Sequence, residues 1–240
     1  MKRDILVIAL GNEEVVIASD NSGAIGLKTG DSVKVPDEMV SYFGFRVAVM
    51  ECMAAGGKPA AVIIHNFTGN EAWDSYVKGI RKAAAELGEE QLPITGSTES
   101  NFIMLQSAMG IVVLGKRESG WQERPLDRKS VRFAVVGKPL VGNEVIAQRE
   151  AVLPLSLFKT ILDTNGVLAA LPVGSKGILH ELRLMTGMAD LQERTVTCEL
   201  DVTKTSGPAT CLLIGIDEEK EEEIKRIAGE LYHPLAVHLF

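Results

Sequence analysis

Apolar residues fall along this chain in short runs and helical stripes separated by polar, glycine-bearing turns. Ile5–Leu10 and Val15–Ala18 are strand-like runs either side of the turn-like GNEE, and they predict a hairpin or two neighbouring strands. A polar loop follows, and Pro36 then introduces DEMVSYFGFRVAVMECMAAG. That pattern predicts a long helix, with Asp37 and Glu38 at its positive start and Gly56-Gly57 ending it. Ala60–His65 predicts a buried strand. Asn70–Leu87 predicts an amphipathic helix with Trp73, Val77, Ile80 and Ala84 on one stripe and Gly88 as its stop, and Leu105–Leu114 resumes strand character.

The polar, charged stretch Gly115–Ser130 is short of aliphatic residues and predicts a boundary, giving domains at 1–118 and 127–240. A second cycle follows it. Val131–Val136 predicts a strand, PLSLFKTILDTNG a helix ending at Gly166, and SKGILHELRLMTGM another helix. Val196–Val202 and Thr210–Ile216 predict strands, and DEEKEEEIKRIAGELY a closing helix with Ile224, Ile227 and Leu231 inward; the acidic run Glu218–Glu223 is its solvated start. Strands and helices mixed without strict βαβ alternation predict an α+β fold in layers.

Composition narrows the classes of function. With 240 residues, 46% apolar and 24% charged, the chain can bury a sizeable core in two domains and carries no disordered or repetitive signature. A net charge of −7 argues against a basic nucleic-acid surface and leaves a small polyanion pocket open. Cys52, Cys198 and Cys211 show neither metal-ligand nor disulfide spacing, which fits a reducing cytoplasm. Asp4 interrupts the apolar start, no cleavage site follows it, and no run reaches the length of a membrane span; a cytoplasmic protein is expected.

Three segments place acidic or hydroxyl side chains beside small residues: ASDNSGAIG (Ala18–Gly26), AVMECMAAGGKP ending at Pro59, and ITGSTESN (Ile94–Asn101). Together they have the parts of a nucleotide site, because small residues let N–H groups approach a phosphate and carboxylates hold accompanying magnesium. Asp20 sits where a strand meets a polar turn, as a metal ligand or an Asx-turn residue. Glu51 lies in an apolar helix segment and must face an ion, a partner or solvent. The segment with Gly96, Ser97, Thr98, Glu99, Ser100 and Asn101 reads as a phosphate-binding loop or an ordinary hydroxyl-rich turn, and Asn21 and Ser22 can position phosphate or acceptor or simply form the turn. Asn66 follows a buried strand and can face the site. Gly174-Ser175-Lys176-Gly177 precedes a helix, whose N–H groups can bind an anion with Lys176 adding a point charge, or serve only as a cap. His65 and His180 are acceptor-side candidates that equally suit structural roles. No GxxxxGK[ST] loop, HExxH motif or GxSxG elbow is present.

The order of these pieces resembles the superfamily of ATP-using enzymes containing aminoimidazole ribonucleotide synthetase, selenophosphate synthetase, the hydrogenase-maturation dehydratase and thiamine-monophosphate kinase. The likeness covers nearly the whole chain. The kinase's DDAA, STDTLVEG-like, AVNDLAAMGAKP and GGDT elements have counterparts in RDIL (Arg3–Leu6), ASDNSGAIG, AVMECMAAGGKP and TGSTES (Thr95–Ser100). The resemblance implies a two-domain ATP-binding fold whose N-terminal half forms a dimeric β-barrel-like interface. It further implies a homodimer, a small-molecule substrate, ATP and Mg2+ as cofactors, and phosphoryl transfer or related activation.

Carried onto this sequence, the resemblance implies metal ligation by Asp4, Asp20 and Glu51. It implies nucleotide binding by Asp20, Asn21 and Gly96–Asn101, and substrate binding by Asn66, Gly174, Ser175 and Lys176, with Asp20 and Lys176 catalytic. Ser97 stands where the GGDT loop has its aspartate, Glu99 offers a carboxylate two residues on, and Lys176 replaces an aspartate of the kinase's DVSDGL element. The glycine-rich arm that precedes DDAA in longer relatives has no counterpart here. The pattern ASDNSGAIG, NFTGNEAW, ITGSTESNF and PVGSKGI is similar to the α-ribazole kinases of cobalamin nucleotide-loop salvage.

Overall fold

The expected hairpin forms from β1 (Ile5–Leu10) and β2 (Glu13–Gly23), paired antiparallel from Ile5↔Ala18 to Leu10↔Glu13, in a computed structural model that describes residues 5–124, 126–127 and 130–238. Asp4 lies outside the described residues. The chain divides into two compact units, one ending at Trp121 and the other beginning at Gln122.

In the first unit β2 runs past the predicted Ala18 and leads through the short parallel pair β3 (Ile25–Gly26) and β4 (Val33–Lys34) to α1 (Asp37–Ala54). Then come β5 (Lys58–Asn66), α2 (Trp73–Glu86), β6 (Ile94–Thr98) and β7 (Ala108–Glu118). The sheet order is β1-β2-β7-β5-β6, antiparallel except for β5 and β6. α1 begins as predicted, with Asp37 and Glu38 in its first turn. It packs on β2 and β7 with one side and on α2 with another, so Phe45, Ala48, Val49, Met50 and Cys52 are all fully buried. The stripe on α2 is turned from the predicted one: Tyr76, Ile80, Ala83 and Ala84 are buried, while Trp73 and Val77 are half-buried.

Both helices lie on one face of this sheet. The opposite face carries the row Leu6, Ile17, Leu114 and Ala61, with Ile8 and Val15 beside it. Leu6 is 57% and Leu10 61% exposed, an apolar surface of the kind that marks an interaction site. The predicted strand Leu105–Leu114 begins later, at Ala108, because Phe102–Leu105 belongs to the preceding loop, where Ile103 is 96% exposed.

The second unit holds β8 (Val131–Val136), α3 (Asn143–Ala147), α4 (Leu155–Asp163), β9 (Val167–Pro172), α5 (Gly177–Thr186), β10 (Val196–Thr197), β11 (Leu212–Asp217), α6 (Glu221–Ala228) and β12 (Tyr232–Val237). Its sheet, β10-β12-β8-β11-β9, is antiparallel throughout. α5 closes a core with Val135, Leu171, Leu213 and Leu235. The predicted strand Val196–Val202 stops at Thr197, and soon afterwards the Asp201 carboxylate accepts the N–H groups of Thr203 and Lys204, turning the chain. The predicted final helix ends at Ala228 before Gly229, and Tyr232 opens β12 instead. Ile224 and Ala228 are its buried residues.

The Gly56-Gly57 exit of α1 shows why glycine stands there. Gly56 has φ +80°, and a side chain on it would begin 2.5 Å from the Trp121 ring. That ring also stacks on Arg117, whose guanidinium lies 4.6 Å from the ring centre and donates to Ala55 O and Glu14. Gly56→Ala is expected to cost roughly 1–3 kcal/mol in denaturant unfolding. In a Trp121→Ala background the cost should shrink, and a double-mutant cycle measures the coupling.

Candidate active site

Strand register aligns the first unit's candidate residues into rows across the sheet. Asp20, Ile111, Ile64 and Gly96 share one row; Asn21, Gly110, His65 and Ser97 the next; Ser22, Met109, Asn66 and Thr98 the third. Because side chains alternate, the first and third rows face the helices and the second faces the open side. Three strand spacings, about 14 Å, separate β2 from β6. The register therefore brings Asp20, Asn21 and Gly96–Thr98 to one end of one sheet without bringing them into contact.

Asp20 follows Val16 and Ala18 on the buried face of β2, beneath α1. Gly44 of that helix leaves the space: a side chain there would begin 3.8 Å from Asp20 Oδ2 and 2.8 Å from the Met109 methyl. Burial raises the Asp20 pKa to about 6, with the N–H of Asn21 pulling the other way. A carboxylate made costly to ionise beneath a packed helix is a candidate for function.

The predicted phosphate loop is structured differently. Gly96, Ser97 and Thr98 belong to β6, and a side chain on Gly96 would begin 2.1 Å from Ile64 O, so this glycine serves close strand approach. Asn66 is buried, and its amide donates to Gly69 O at 2.7 Å and Thr98 Oγ1 at 3.1 Å while accepting from Thr68 N at 2.9 Å. It holds Thr98 in place. Glu99 Oε1 accepts the N–H groups of Asn101 and Phe102, which shapes the turn after β6. Ser97, Ser100 and Asn101 are left exposed.

Asp31 is a residue the sequence reading missed. Burial works to raise its pKa, but the N–H and hydroxyl of Ser107 and the N–H of Lys28 outweigh that and hold it below the usual carboxylate range. With Gly30 N donating to Leu105 O and Ala24 N to Ser107 O, it fastens the 24–31 loop to the start of β7. Its signal in sequence is only an Asp-Ser turn, common in loops.

Glu51 is half-buried on α1, seven residues beyond Gly44 and so about 10 Å further along the helix axis. Among the described residues no group of three or more His, Cys, Asp or Glu side chains is placed to hold a metal ion. Magnesium commonly takes one or two carboxylates and fills its shell with water and phosphate oxygens. Asp20 fits one such position, and a cation there would relieve its cost of ionisation.

In the second unit Ser175 and Lys176 are exposed just before α5. The helix start differs from an open anion site. Leu179 N donates to Val202 O at 2.8 Å, Ser206 N donates to Gly174 O at 3.1 Å, and the Thr203 and Lys204 carbonyls stand 2.9 Å from where a side chain on Gly177 would begin. Carbonyl oxygens of the 201–206 segment thus cover this helix end. No described helix is long and apolar enough to cross a membrane.

No protein-family model and no curated protein matches the chain. Solved structures do. PurL from T. maritima complexed with ATP aligns with 98% of this chain and 42% of its own at TM-score 0.62 and 14% identity. The chain thus spans less than half of PurL. The same protein has been solved with ADP and with AMPPCP. HypE from E. coli, a hydrogenase maturation protein, aligns with 93% of this chain and 80% of its own at TM-score 0.61 and 14% identity. The chain therefore has the α+β fold of PurL and HypE, the fold that the sequence resemblance implies.

Asp20 yields a signed expectation. The unfolded carboxyl releases its proton near 3.8 and the folded one near 6, so ionised Asp20 costs the fold roughly 3 kcal/mol at neutral pH. Its contribution falls as pH rises from about 4 to 6. Asp20→Asn should raise stability at pH 7.5 by roughly 2–3 kcal/mol and remove that slope, measured by urea unfolding across the window. An unchanged slope would assign it to other groups.

Proposed function

We propose that the chain is an ATP- and Mg2+-dependent small-molecule kinase that transfers the γ-phosphoryl group to an alcohol, the ribose 5′-hydroxyl of α-ribazole. The observation carrying this reading is Asp20: a half-buried carboxylate with its pKa raised to about 6, under a helix glycine, on a fold shared with a protein crystallised with ATP. Phosphoryl transfer asks chiefly for positioning and charge neutralisation.

In this reading Asp20 supplies the protein ligand to magnesium, with Asp4 as a further ligand, while Glu51, about 10 Å further along α1, is not brought to the same ion. Magnesium, when bound, neutralises charge on the β- and γ-phosphates. Asn21 and the Gly96–Asn101 segment hold the nucleotide, with Asn66 keeping Thr98 in position and Glu99 ordering the turn. Lys176, beside Gly174 and Ser175, is the exposed cation of the second unit's substrate-binding turn. The acceptor oxygen forms a bond to the γ-phosphorus as the bond to ADP breaks, and its proton passes to water.

The open apolar face of the first unit supports the homodimer: a second copy of the same sheet would cover Leu6, Ile8 and Leu10 with identical residues. The units ending at Trp121 and beginning at Gln122 would then act as an ATP-binding and dimerising domain and a substrate-side domain.

ADP formation from MgATP with purified protein should require α-ribazole and should not occur with thiamine monophosphate or without acceptor. Asp20→Asn should lower kcat at least 100-fold, about 3 kcal/mol of transition-state stabilisation. Nucleotide binding without turnover with any acceptor would favour a non-catalytic binding module, and turnover with thiamine monophosphate would reassign the substrate. Leu6→Lys with Ile8→Lys should convert a dimer to monomer in sedimentation velocity; a wild-type monomer would remove the homodimer.

A further inference from the structure

The second unit holds a cavity that none of the assigned roles uses, and it arises where three elements stop. α5 ends at Thr186, and Gly187, at φ +70°, turns the chain off the sheet through Met188. β10 is only two residues long and extends the sheet beside the last residues of β12, at Val196↔Val237 and Thr197↔Ala236. α6 begins beyond β11, at Glu221. Between these endings lies a cavity of about 530 Å3, within the size range of small-molecule sites.

The apolar wall of this cavity continues the core. Leu235 pairs with Phe133, and alternation puts Val131, Phe133, Leu235 and Val237 on the face that α5 covers. Val131 and Leu235 are buried. Phe133, Val237 and Met188 are half-buried, packed on that core with part of their surface left to the cavity. An aromatic ring and a thioether beside aliphatic side chains suit a planar aromatic ligand.

Polar groups set the charge. Arg132, which alternation turns to the other face, and Glu221, in the first turn of α6, complete the lining at the strand ends. Arg132 is ion-paired with Glu218, so its positive charge is already balanced, and Glu221 leaves an excess of negative charge. A phosphate or carboxylate ligand is therefore disfavoured. Glu221 accepts the Tyr232 hydroxyl at 3.0 Å, and a carboxylate has about four acceptor positions, so it can also take an N–H from a ligand.

We infer that this cavity binds a neutral, planar N-heterocycle, with the ring on Phe133 and Met188 and its N–H directed to Glu221. The site lies at the opposite end of α5 from Ser175 and Lys176, about 15 Å away along the helix axis, so it is separate from the substrate-binding turn. It does not rest on the kinase reading.

The test follows the methyl signals of 13C-methionine-labelled protein, with Met188 assigned through Met188→Leu, during titration with benzimidazole, benzoate and ribose in the absence of nucleotide. A saturable shift of Met188 with benzimidazole, and none with benzoate or ribose, is expected. Glu221→Gln, which keeps an oxygen for Tyr232, should weaken benzimidazole binding about tenfold, the effect of one hydrogen bond to a charged group. Thr197→Trp, at an exposed position of the lining, should fill the cavity and abolish the shift while thermal unfolding stays cooperative. No saturable Met188 shift with benzimidazole, or an equal one with benzoate, overturns the site, and so does a shift that Thr197→Trp leaves unchanged. ADP formation is read in a separate assay, so failure of the kinase reading leaves this result standing, and the reverse holds.

Discussion

The close packing of α1 on the β2–β7 pair is the constraint on which the first unit depends. A helix can lie this near a sheet only where its facing side chains are small or interlock, and Gly44 is where it comes down over Asp20 and Met109. The space is large enough for a carboxylate and too dry for its charge to be cheap. A stability cost and a candidate cation position arise from the same contact.

That packing also makes the two sheet faces unequal. α1 and α2 stand on one face, so residues alternating along β1, β2, β7 and β5 go either into a core or onto an open apolar surface. Strand pairing carries polar residues of distant segments into the same rows at the sheet end. Asp20 and Gly96 then share a row although 76 positions separate them, and Asn21, His65 and Ser97 share the next, on the other face. The candidate chemistry is thus distributed on both sides of one sheet end.

The second unit solves a different problem. Its sheet is antiparallel throughout, with α5 sealing one core, and the segment after β10 folds back over the beginning of that helix. Backbone carbonyls satisfy helix N–H groups that a bare helix would offer to an anion. Lys176 stays exposed beside them, so the charge available at this turn comes from a side chain rather than from the helix end.

Local patterns in the sequence were enough for the elements whose signals are short-range: the β1–β2 hairpin, α1 from Asp37 to its glycine exit, β5, β8, α4 and α5. Periodicity, first-turn acids and glycine stops act within a few residues, so they survive without knowledge of neighbours. The α+β class was legible for the same reason. Tertiary structure alone decided the rest. β6 is a strand because Ile64 lies close enough to require Gly96, and the strand after Val196 is cut short as Asp201 caps a turn. β12 pairs with β8 although the apolar pattern of the preceding helix runs on to Leu231 and Tyr232, and Asn66 turns inward because Thr98 and Gly69 are there to receive it. Burial of Asp20, exposure of His65 and the distance between Asp20 and Glu51 depend on which strands become neighbours, and pairing across tens of residues leaves no local signature.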